Sequence, residues 1–413
     1  MTLQEIPLGN VSIITMGVSP KGDTYNNEGI GIPLLNGPTE FGLISPACTV
    51  YTTDSKRECI KGDLIFCVRG STTGRMNWAD IVYSLGRGVC SIHGETRPDT
   101  QFIKYCIDFK LNQLLQLSGG STFPNLTKND LGNLLIPYPL HRSKIAGILS
   151  AYDDLIENNT RRIKILEEMA QTIYNEWFVK FRFPGHENVK MVESELGMIP
   201  EGWEVRKLRD VAFINRGKSY GSNDLVDEGG LPFINLKCVD RDGGFRYDGI
   251  KRYTGKYKEG QVVKTGDIVM AVTDMTQERR VIARSARVPQ LRDDFGIISM
   301  DLIKITANDL IPNDYLYGIL RYSDFADNVK QYANGANVLH LNPEHVLDFS
   351  LALAPERLRN RYSELCKYLY NEINVLSLKN RNLSVTRDLL LPRLISGEID
   401  VSELDIDVGG ITA

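Results

Sequence analysis

Leu8-Gly9-Asn10-Val11, running on through Ile14 to Gly17, returns 200 residues later as Leu208-Arg209-Asp210-Val211, running on through Ile214 to Gly217. Further matches follow in the same order. Ile32-Pro33-Leu34-Leu35-Asn36 returns as Leu231-Pro232-Phe233-Ile234-Asn235, and Lys61-Gly62-Asp63-Leu64-Ile65 as Thr265-Gly266-Asp267-Ile268-Val269. Gly120 and Leu126 return as Gly335 and Leu341, and Asp130-Leu131 as His345-Val346. An apolar run closes each series, Leu134-Leu135-Ile136-Pro137 in the first and Phe349-Ser350-Leu351-Ala352 in the second. Common Gly-Asp and Leu-Asn pairs would match by chance, but not in a conserved order. The offset drifts from 200 to about 215, so the second copy carries insertions. The period is far longer than a solenoid repeat, and the pattern is that of a duplicated domain. Each copy is a β-rich unit of about 140 residues followed by a long helical pattern.

Local signals support that reading. Val11 to Met16, Asp63 to Val68, Asp267 to Val272 and Ile297 to Ile305 are short, rich in β-branched residues and bounded by Gly, Pro or Asp, as strands are. Phe102 to Leu117 and Pro312 to Tyr332 read as helices, the second starting at Asn313 or Asp314.

Two longer helices stand outside the copies. From His141 to Phe183 there is no proline, and Pro184-Gly185 is the expected stop. Ile145, Leu149, Tyr152, Ile156, Asn159, Ile163, Leu166, Ala170, Ile173 and Trp177 step alternately by four and three, a heptad seam. Tyr362, Cys366, Leu369, Ile373, Leu376, Leu383 and Leu390 form a second seam, which Pro392 is expected to end. At an offset of 217 the two coincide, Tyr152 on Leu369, Ile156 on Ile373, Leu166 on Leu383 and Ile173 on Leu390. Each seam is interrupted by polar residues, Asn159 in one, Asn380 and Arg387 in the other, which fix register at a cost in stability. A single narrow apolar stripe needs a partner, and the nearest is the other helix. At ~1.5 Å per residue these are rods of roughly 60 Å. The expected fold is α+β: two duplicated β-rich domains joined by two long antiparallel coiled-coil helices. The expected bounds are 1–140, 141–183 (first helix), 184–202 (linker), 203–355, 356–395 (second helix) and 396–413 (tail).

Composition narrows the function. The 413 residues suit two or three domains, and 42% hydrophobic with 24% charged residues excludes gross disorder. A net charge of −4 excludes a uniformly basic surface but leaves room for local patches. No stretch reaches the ~20 apolar residues of a membrane helix, and Met1 to Gly17 does not read as a signal peptide. The seven cysteines include no C-x-x-C pair, which fits reduced thiols of the cytoplasm rather than disulfides or zinc. His340 and His345 have no third ligand near them and read as loop or core residues.

Catalytic signatures are decoys. Gly217-Lys218-Ser219 resembles the end of a phosphate-binding loop, but the glycine needed five residues earlier is Ala212. Asn342-Pro343-Glu344-His345 lacks the second proline and the aromatic of an adenine-methyltransferase motif. No catalytic residue is assigned, and binding or targeting is the better reading. Residues 241–292 are basic, with twelve cations against six carboxylates and Phe245, Tyr247, Tyr253 and Tyr257 interleaved. Such a patch can neutralise phosphates and grip base edges. With Lys218, its candidate nucleic-acid contacts are Arg246, Lys251, Arg252, Lys256, Lys258, Arg279, Arg280 and Arg284. The matching region of the first copy is sparser: Arg69, Ser71, Thr72, Thr73 and Arg75.

Several longer strings narrow the reading further. They are Lys144-Ile145-Ala146-Gly147-Ile148-Leu149-Ser150 with Asp153-Asp154 and Ile156-Glu157-Asn158-Asn159, then Met169-Ala170-Gln171 and Trp177-Phe178. Ile199-Pro200-Glu201-Gly202-Trp203 opens the second copy, and Leu389-Leu390-Leu391-Pro392-Arg393-Leu394-Ile395-Ser396-Gly397-Glu398-Ile399 lies near the end. In these strings, and along nearly its whole length, the chain resembles the specificity subunits of type I restriction-modification systems. The resemblance implies two target-recognition domains, each reading half of a split site in double-stranded DNA. It implies that the helices act as spacer and dock two methyltransferase subunits, with restriction subunits alongside. It places S-adenosylmethionine, ATP and magnesium on those partners and no cofactor or metal in this chain. The first copy departs from the pattern in opening at Met1 without a counterpart of Gly202-Trp203. Base-reading residues vary within the family, so none is carried over. A protein-only coiled-coil scaffold would show no salt-dependent DNA affinity, and an unrecognised enzyme would show turnover without partners.

Overall fold

A computed structural model of the chain describes residues 5–42, 44–117 and 125–406, so Met1 and Gly120 lie outside the described residues. The chain forms two units, residues 1–159 with 379–413, and residues 160–378. The division falls within both long helices, so each unit holds part of each.

In the first unit, β1 (Ser12–Met16), β2 (Leu64–Cys67), β3 (Met76–Trp78) and β4 (Val89–Gly94) form an antiparallel sheet in the order β1-β4-β2-β3. A second sheet of five short strands runs Tyr25–Asn26, Tyr51–Thr52, Ile32–Leu35, Tyr83–Leu85, Glu58–Cys59, with one parallel pair, Leu34 beside Ser84. The Gly-Asp motif leads into β2, whose four residues are all buried. Its unbroken apolar run follows from having a core on each side. Leu64, Phe66 and Val68 pack with Phe102, Ile103, Cys106, Ile145 and Leu149, while Ile65 packs with Leu35, Tyr83, Leu85 and Val89. Helix α1 (Arg97–Leu117) starts five residues before its expected position. The Thr96 hydroxyl accepts the Asp99 amide and Asp99 accepts the Thr96 amide, closing a capping box. Pro98 sits in the first turn, where no helical amide bond is lost.

The second unit repeats this plan. Its strands β5 (Ala212–Arg216), β6 (Ile268–Ala271), β7 (Ser285–Arg287) and β8 (Leu302–Ala307) take the order β5-β8-β6-β7. The five-stranded sheet returns with its parallel pair, Phe233 beside Ile297. Ile268, Met270 and Val272 face one core, and Val269 and Ala271 face another. A pair of strands closes each unit, Glu5–Pro7 with Leu135–Pro137 and Glu204–Lys207 with Ser350–Leu353.

The long helices are α2 (Arg142–Tyr174) and, after α3 (Asn313–Tyr322), α4 (Glu356–Ile395). They run antiparallel in both units: Asn159 meets Asn380 in the first, and Arg162 and Tyr174 meet Glu372 and Tyr362 in the second. Every seam position is buried or half-buried, from Ile145, Leu149, Tyr152 and Ile156 to Ile163, Leu166 and Ile173 on α2. The same holds on α4 for Tyr362, Leu369, Ile373, Leu376, Leu383 and Leu390.

Several further details differ from expectation. The run Ile297 to Ile305 is two strands, Gly296–Ile298 and β8, separated where Ser299 to Asp301 carry the chain from one sheet to the other. The helix from Pro312 to Tyr332 breaks at Ser323, whose hydroxyl donates to the Ile319 carbonyl and accepts the Phe325 amide. Helix α2 ends not at Pro184 but in a π-helical turn, Asn175–Val179, followed by Phe181 at φ +57°. The wider turn places Phe178 among Trp203, Tyr315 and Tyr362, with ring centroids 6.0, 4.9 and 5.1 Å away. Pro392 lies inside α4, three residues before its last residue. Within 184–202, Met191–Ser194 and Gly197–Pro200 pair as a hairpin.

Candidate nucleic-acid interface

The first-copy candidates lie on the connection between β2 and β3, and three of the second-copy candidates on the matching connection between β6 and β7. The frame around the two connections is the same. Val68 accepts the Leu126 amide at 2.9 Å, and Val272 accepts the Leu341 amide at 2.8 Å. Arg69 bridges to Asn125 as Thr273 pairs with His340. The chain re-enters each sheet through one turn, with Arg75 donating to the Thr72 carbonyl at 3.2 Å and Arg284 to the Val281 carbonyl at 3.0 Å. Left-handed backbone precedes both arginines, at Gly74 (φ +97°) and Ala283 (φ +63°). Between valine and turn, however, the first unit has only Arg69-Gly70-Ser71, whereas the second has Thr273 to Arg280. Arg69, Ser71 and Arg75 are exposed, Thr72 and Thr73 half-buried, and the Thr73 hydroxyl donates to the Gly70 carbonyl at 2.8 Å.

The longer connection is built around Asp274, which sequence reasoning missed. The residue is 3% exposed, and its carboxylate accepts the amides of Thr276 and Val281, each at 2.8 Å, and the Thr276 hydroxyl at 2.9 Å. Burial alone would raise the pKa of this carboxyl; the amides of Val281 and Thr276, with the Thr276 hydroxyl, hold it below the usual carboxylate range. The available signal was Asp-x-Thr, the spacing of an Asx turn. Outside this anchor, Met275, Thr276, Gln277, Glu278 and Arg280 are exposed. Gln277 donates to the Ala336 carbonyl at 3.0 Å, and Arg279, half-buried with φ +54°, donates to the Gln331 carbonyl at 3.4 Å.

The remaining cations of the basic stretch are elsewhere, and part of that charge is already paired. Arg252 meets Asp293 at 2.8 Å, Arg246 meets Asp248 at 2.5 Å and Arg284 meets Asp327 at 3.4 Å. Lys251, Lys256 and Lys258 are exposed. Lys218 belongs to a structural turn: the Gly217 and Lys218 amides donate to the carbonyls of Leu302 and Ile298. Those amides cannot also cradle a phosphate. Gly17 and Val18 make the same two bonds in the first unit, to Val89 and Leu85.

The polar residues of the helix seam find partners. Asn159 donates to the Asn380 side-chain oxygen at 2.9 Å, and Asn380 to the Ile156 carbonyl at 3.2 Å. Arg387 pairs with Asp153, which also accepts Tyr105 at 2.7 Å and Lys104 at 3.2 Å. Burial would raise the Asp153 pKa, but Lys104, Tyr105 and Arg387 together hold it below the usual range.

Among the described residues no three metal-ligating side chains converge, and His345 stacks on Tyr332 with ring centroids 4.7 Å apart. Burial pushes the thiols of Cys59, Cys238 and Cys366 up to about 12, away from nucleophilic chemistry. Among the described residues no helix is long and apolar enough to cross a membrane.

Two copies of one mixed helix-and-sheet domain, each carrying part of an antiparallel helix pair, define a duplicated-domain protein. The model of the type I restriction modification DNA specificity domain matches residues 3–168 and again 200–353, and the chain belongs to that family of DNA sequence-recognition proteins. It is 28% identical over 305 residues to the type I restriction enzyme MjaIX specificity subunit of Methanocaldococcus jannaschii, covering 70% of this chain and 66% of that one. It thus spans just under two thirds of that relative. The MjaVIII specificity subunit of the same organism is 25% identical over 320 residues, covering 74% of this chain and 72% of that one. The crystal structure of a type I restriction-modification S subunit from M. genitalium shares the fold, with TM-score 0.58, 16% identity and 96% of each chain covered.

Proposed function

We propose that this chain is the DNA-reading subunit of a type I restriction-modification complex, with each unit reading one half of a split site. The observation that carries this reading is the duplicated frame: one architecture built twice, with different connections at the same exposed place. Lys251, Lys256 and Lys258 would contact phosphates, which hold register without reading sequence. The helix pair would set the spacing and dock two methyltransferase subunits, with restriction subunits joining them. S-adenosylmethionine, ATP and magnesium would act on those partners in the cytoplasm, and this chain would be non-catalytic. Half-sites about one helical turn apart (roughly 34 Å) suit two domains joined by such rods.

The test is methylation sequencing of the host genome with and without the gene. A split motif of methylated adenines that vanishes on deletion is the expected result, and no change would overturn the reading. Deleting one matched heptad from both helices removes roughly 10 Å of rod, so the spacer should shorten by about three base pairs. An unchanged spacer would refute the ruler. Replacing Lys251, Lys256 and Lys258 by alanine should weaken binding to all sequences alike and lower the salt dependence by about 0.9 for each phosphate no longer neutralised.

A further inference from the structure

The two units hold one frame but differ in several connections, and the one after Val68 and Val272 differs between ends that match bond for bond. Where the first unit crosses from Val68 to the turn at Thr72 on Arg69-Gly70-Ser71, the second crosses from Val272 to Val281 on Thr273 to Arg280. Both ends are fixed by the same backbone bonds in the two units. An insertion into a frame this closely matched contributes little to the core, since Met275 to Glu278 and Arg280 point outward and are exposed.

The segment is nevertheless anchored, and the residue that anchors it is buried. Asp274 gathers the Thr276 and Val281 amides onto one carboxylate, which fixes where the chain leaves and where it returns. The strand pair Thr273–Asp274 with Leu339–His340 ties it to the exposed turn at Asn334 to Val338, and Gln277 is bonded to Ala336 across that junction. Gly335 makes the turn possible: at φ +143° its β-carbon would lie 2.0 Å from the Val338 carbonyl oxygen. A rigid support carrying exposed amide and guanidinium groups is what base-edge recognition requires.

On the reading that each unit binds DNA, we infer that Met275 to Arg280 is the base-reading segment of the second unit, with Gln277 and Arg280 as specificity-determining residues and Asp274 as their positioning residue. Gln277 has one amide hydrogen engaged by Ala336. Its other amide hydrogen and its carbonyl oxygen match the N7 acceptor and N6 donor of adenine. Arg280, half-exposed and only loosely associated with Glu278 at 4.0 Å, can present two parallel donors to guanine O6 and N7. The lysines at 251, 256 and 258 lack that planar geometry and serve any sequence alike.

The experiment uses the full chain in its host, with the genomic methylation motif as readout. Gln277→Ala and Arg280→Ala change exposed side chains and leave the frame intact. Each should relax one base-pair position of one half-site by roughly tenfold or more, leaving the other half-site and the spacer unchanged. Asp274→Ala should relax several positions of that same half-site, a selectivity that general loss of structure would not produce. Replacing Thr273 to Arg280 by Arg-Gly-Ser should remove that half-site's selectivity, and if this larger change abolishes methylation the two point variants decide. Unchanged half-sites in both Gln277→Ala and Arg280→Ala, with methylation intact, would overturn the inference and leave the DNA-reading function standing. Absence of any split motif in the parent strain would overturn both.

Discussion

The Asn159–Asn380 contact offers a direct test of the helix pairing, because both residues and their partners lie in the first unit. Asn159 is 9% exposed and donates to Asn380, which donates in turn to the Ile156 carbonyl. Asn159→Leu removes the 2.9 Å bond and sets an isobutyl group against a carboxamide. Asn380→Leu removes both bonds. A half-dismantled polar contact in a packed seam costs about 1–2 kcal/mol, so each single variant should lower the first unit's unfolding transition by roughly 2–8 °C. The double variant places two apolar side chains face to face, as at the flanking seam positions, and should be at least as stable as the parent. The coupling between the sites should therefore reach about 2 kcal/mol or more. Calorimetry of the full chain measures the transition, and amide exchange in 142–159 and 379–395 assigns it to the paired segments. Additivity within about 0.5 kcal/mol, or a double variant less stable than both singles, would refute the pairing.

The other predictions concern charge, packing and backbone. Asp153→Ala should destabilise the first unit by about 1–2 kcal/mol, reduced from a fully buried value because the carboxylate is 30% exposed. The folded pKa of Asp153 is lowered, so its contribution is complete above the unfolded value of about 3.9 and is lost as pH falls through the lowered folded value. Urea unfolding of parent and variant should therefore differ by a constant amount at neutral pH and converge in acid. Phe178→Ala should cost the second unit about 3–5 kcal/mol in the same assay, because the ring sits among Trp203, Tyr315 and Tyr362. Gly217→Ala would place a β-carbon 1.9 Å from the Ser299 carbonyl oxygen, and Gly17→Ala one 2.1 Å from the Gly86 oxygen. Each should unfold its own unit, seen as loss of that unit's amide protection.

The architecture was legible wherever one local rule decided the matter. Strands that follow a Gly-Asp turn and bury both faces must be continuous apolar runs, so Leu64 to Cys67 and Ile268 to Ala271 could be found twice. The seams were legible because a stripe of period 3.5 has few other uses. What escaped the sequence depended on partners far along the chain. The π turn at Asn175–Val179 follows from the need to bring Phe178 onto Trp203 and Tyr315, which only the folded unit brings together. The break at Ser299 follows from a change of sheet, invisible in a run where Ile297 and Ile305 look alike. The basic stretch was legible as composition, but the engagement of Arg252 by Asp293 and Arg284 by Asp327 was not. Asp274 went unnoticed because a lone aspartate in a polar loop carries no periodicity.

That division between frame and connection has an energetic basis. Leu126 and Leu341, which anchor the matched connections, are 1% and 3% exposed. Truncating such a residue to alanine costs about 2–5 kcal/mol, a large part of a domain's net stability of about 5–15 kcal/mol. Exposed positions such as Gln277 and Arg280 can be exchanged within about 0.5 kcal/mol. Sequence change is therefore tolerated where it alters what a unit presents to solvent and opposed where it would alter how the unit folds. A duplicated frame extends this freedom, since each unit keeps its own core and its own connection. Ser71 and Gln277 occupy comparable places between matched backbone bonds, yet neither constrains the other. If the connections read DNA, the two half-sites can change independently while the spacing stays with the helices. A change confined to Thr273 to Arg280 that altered both half-sites would break that argument.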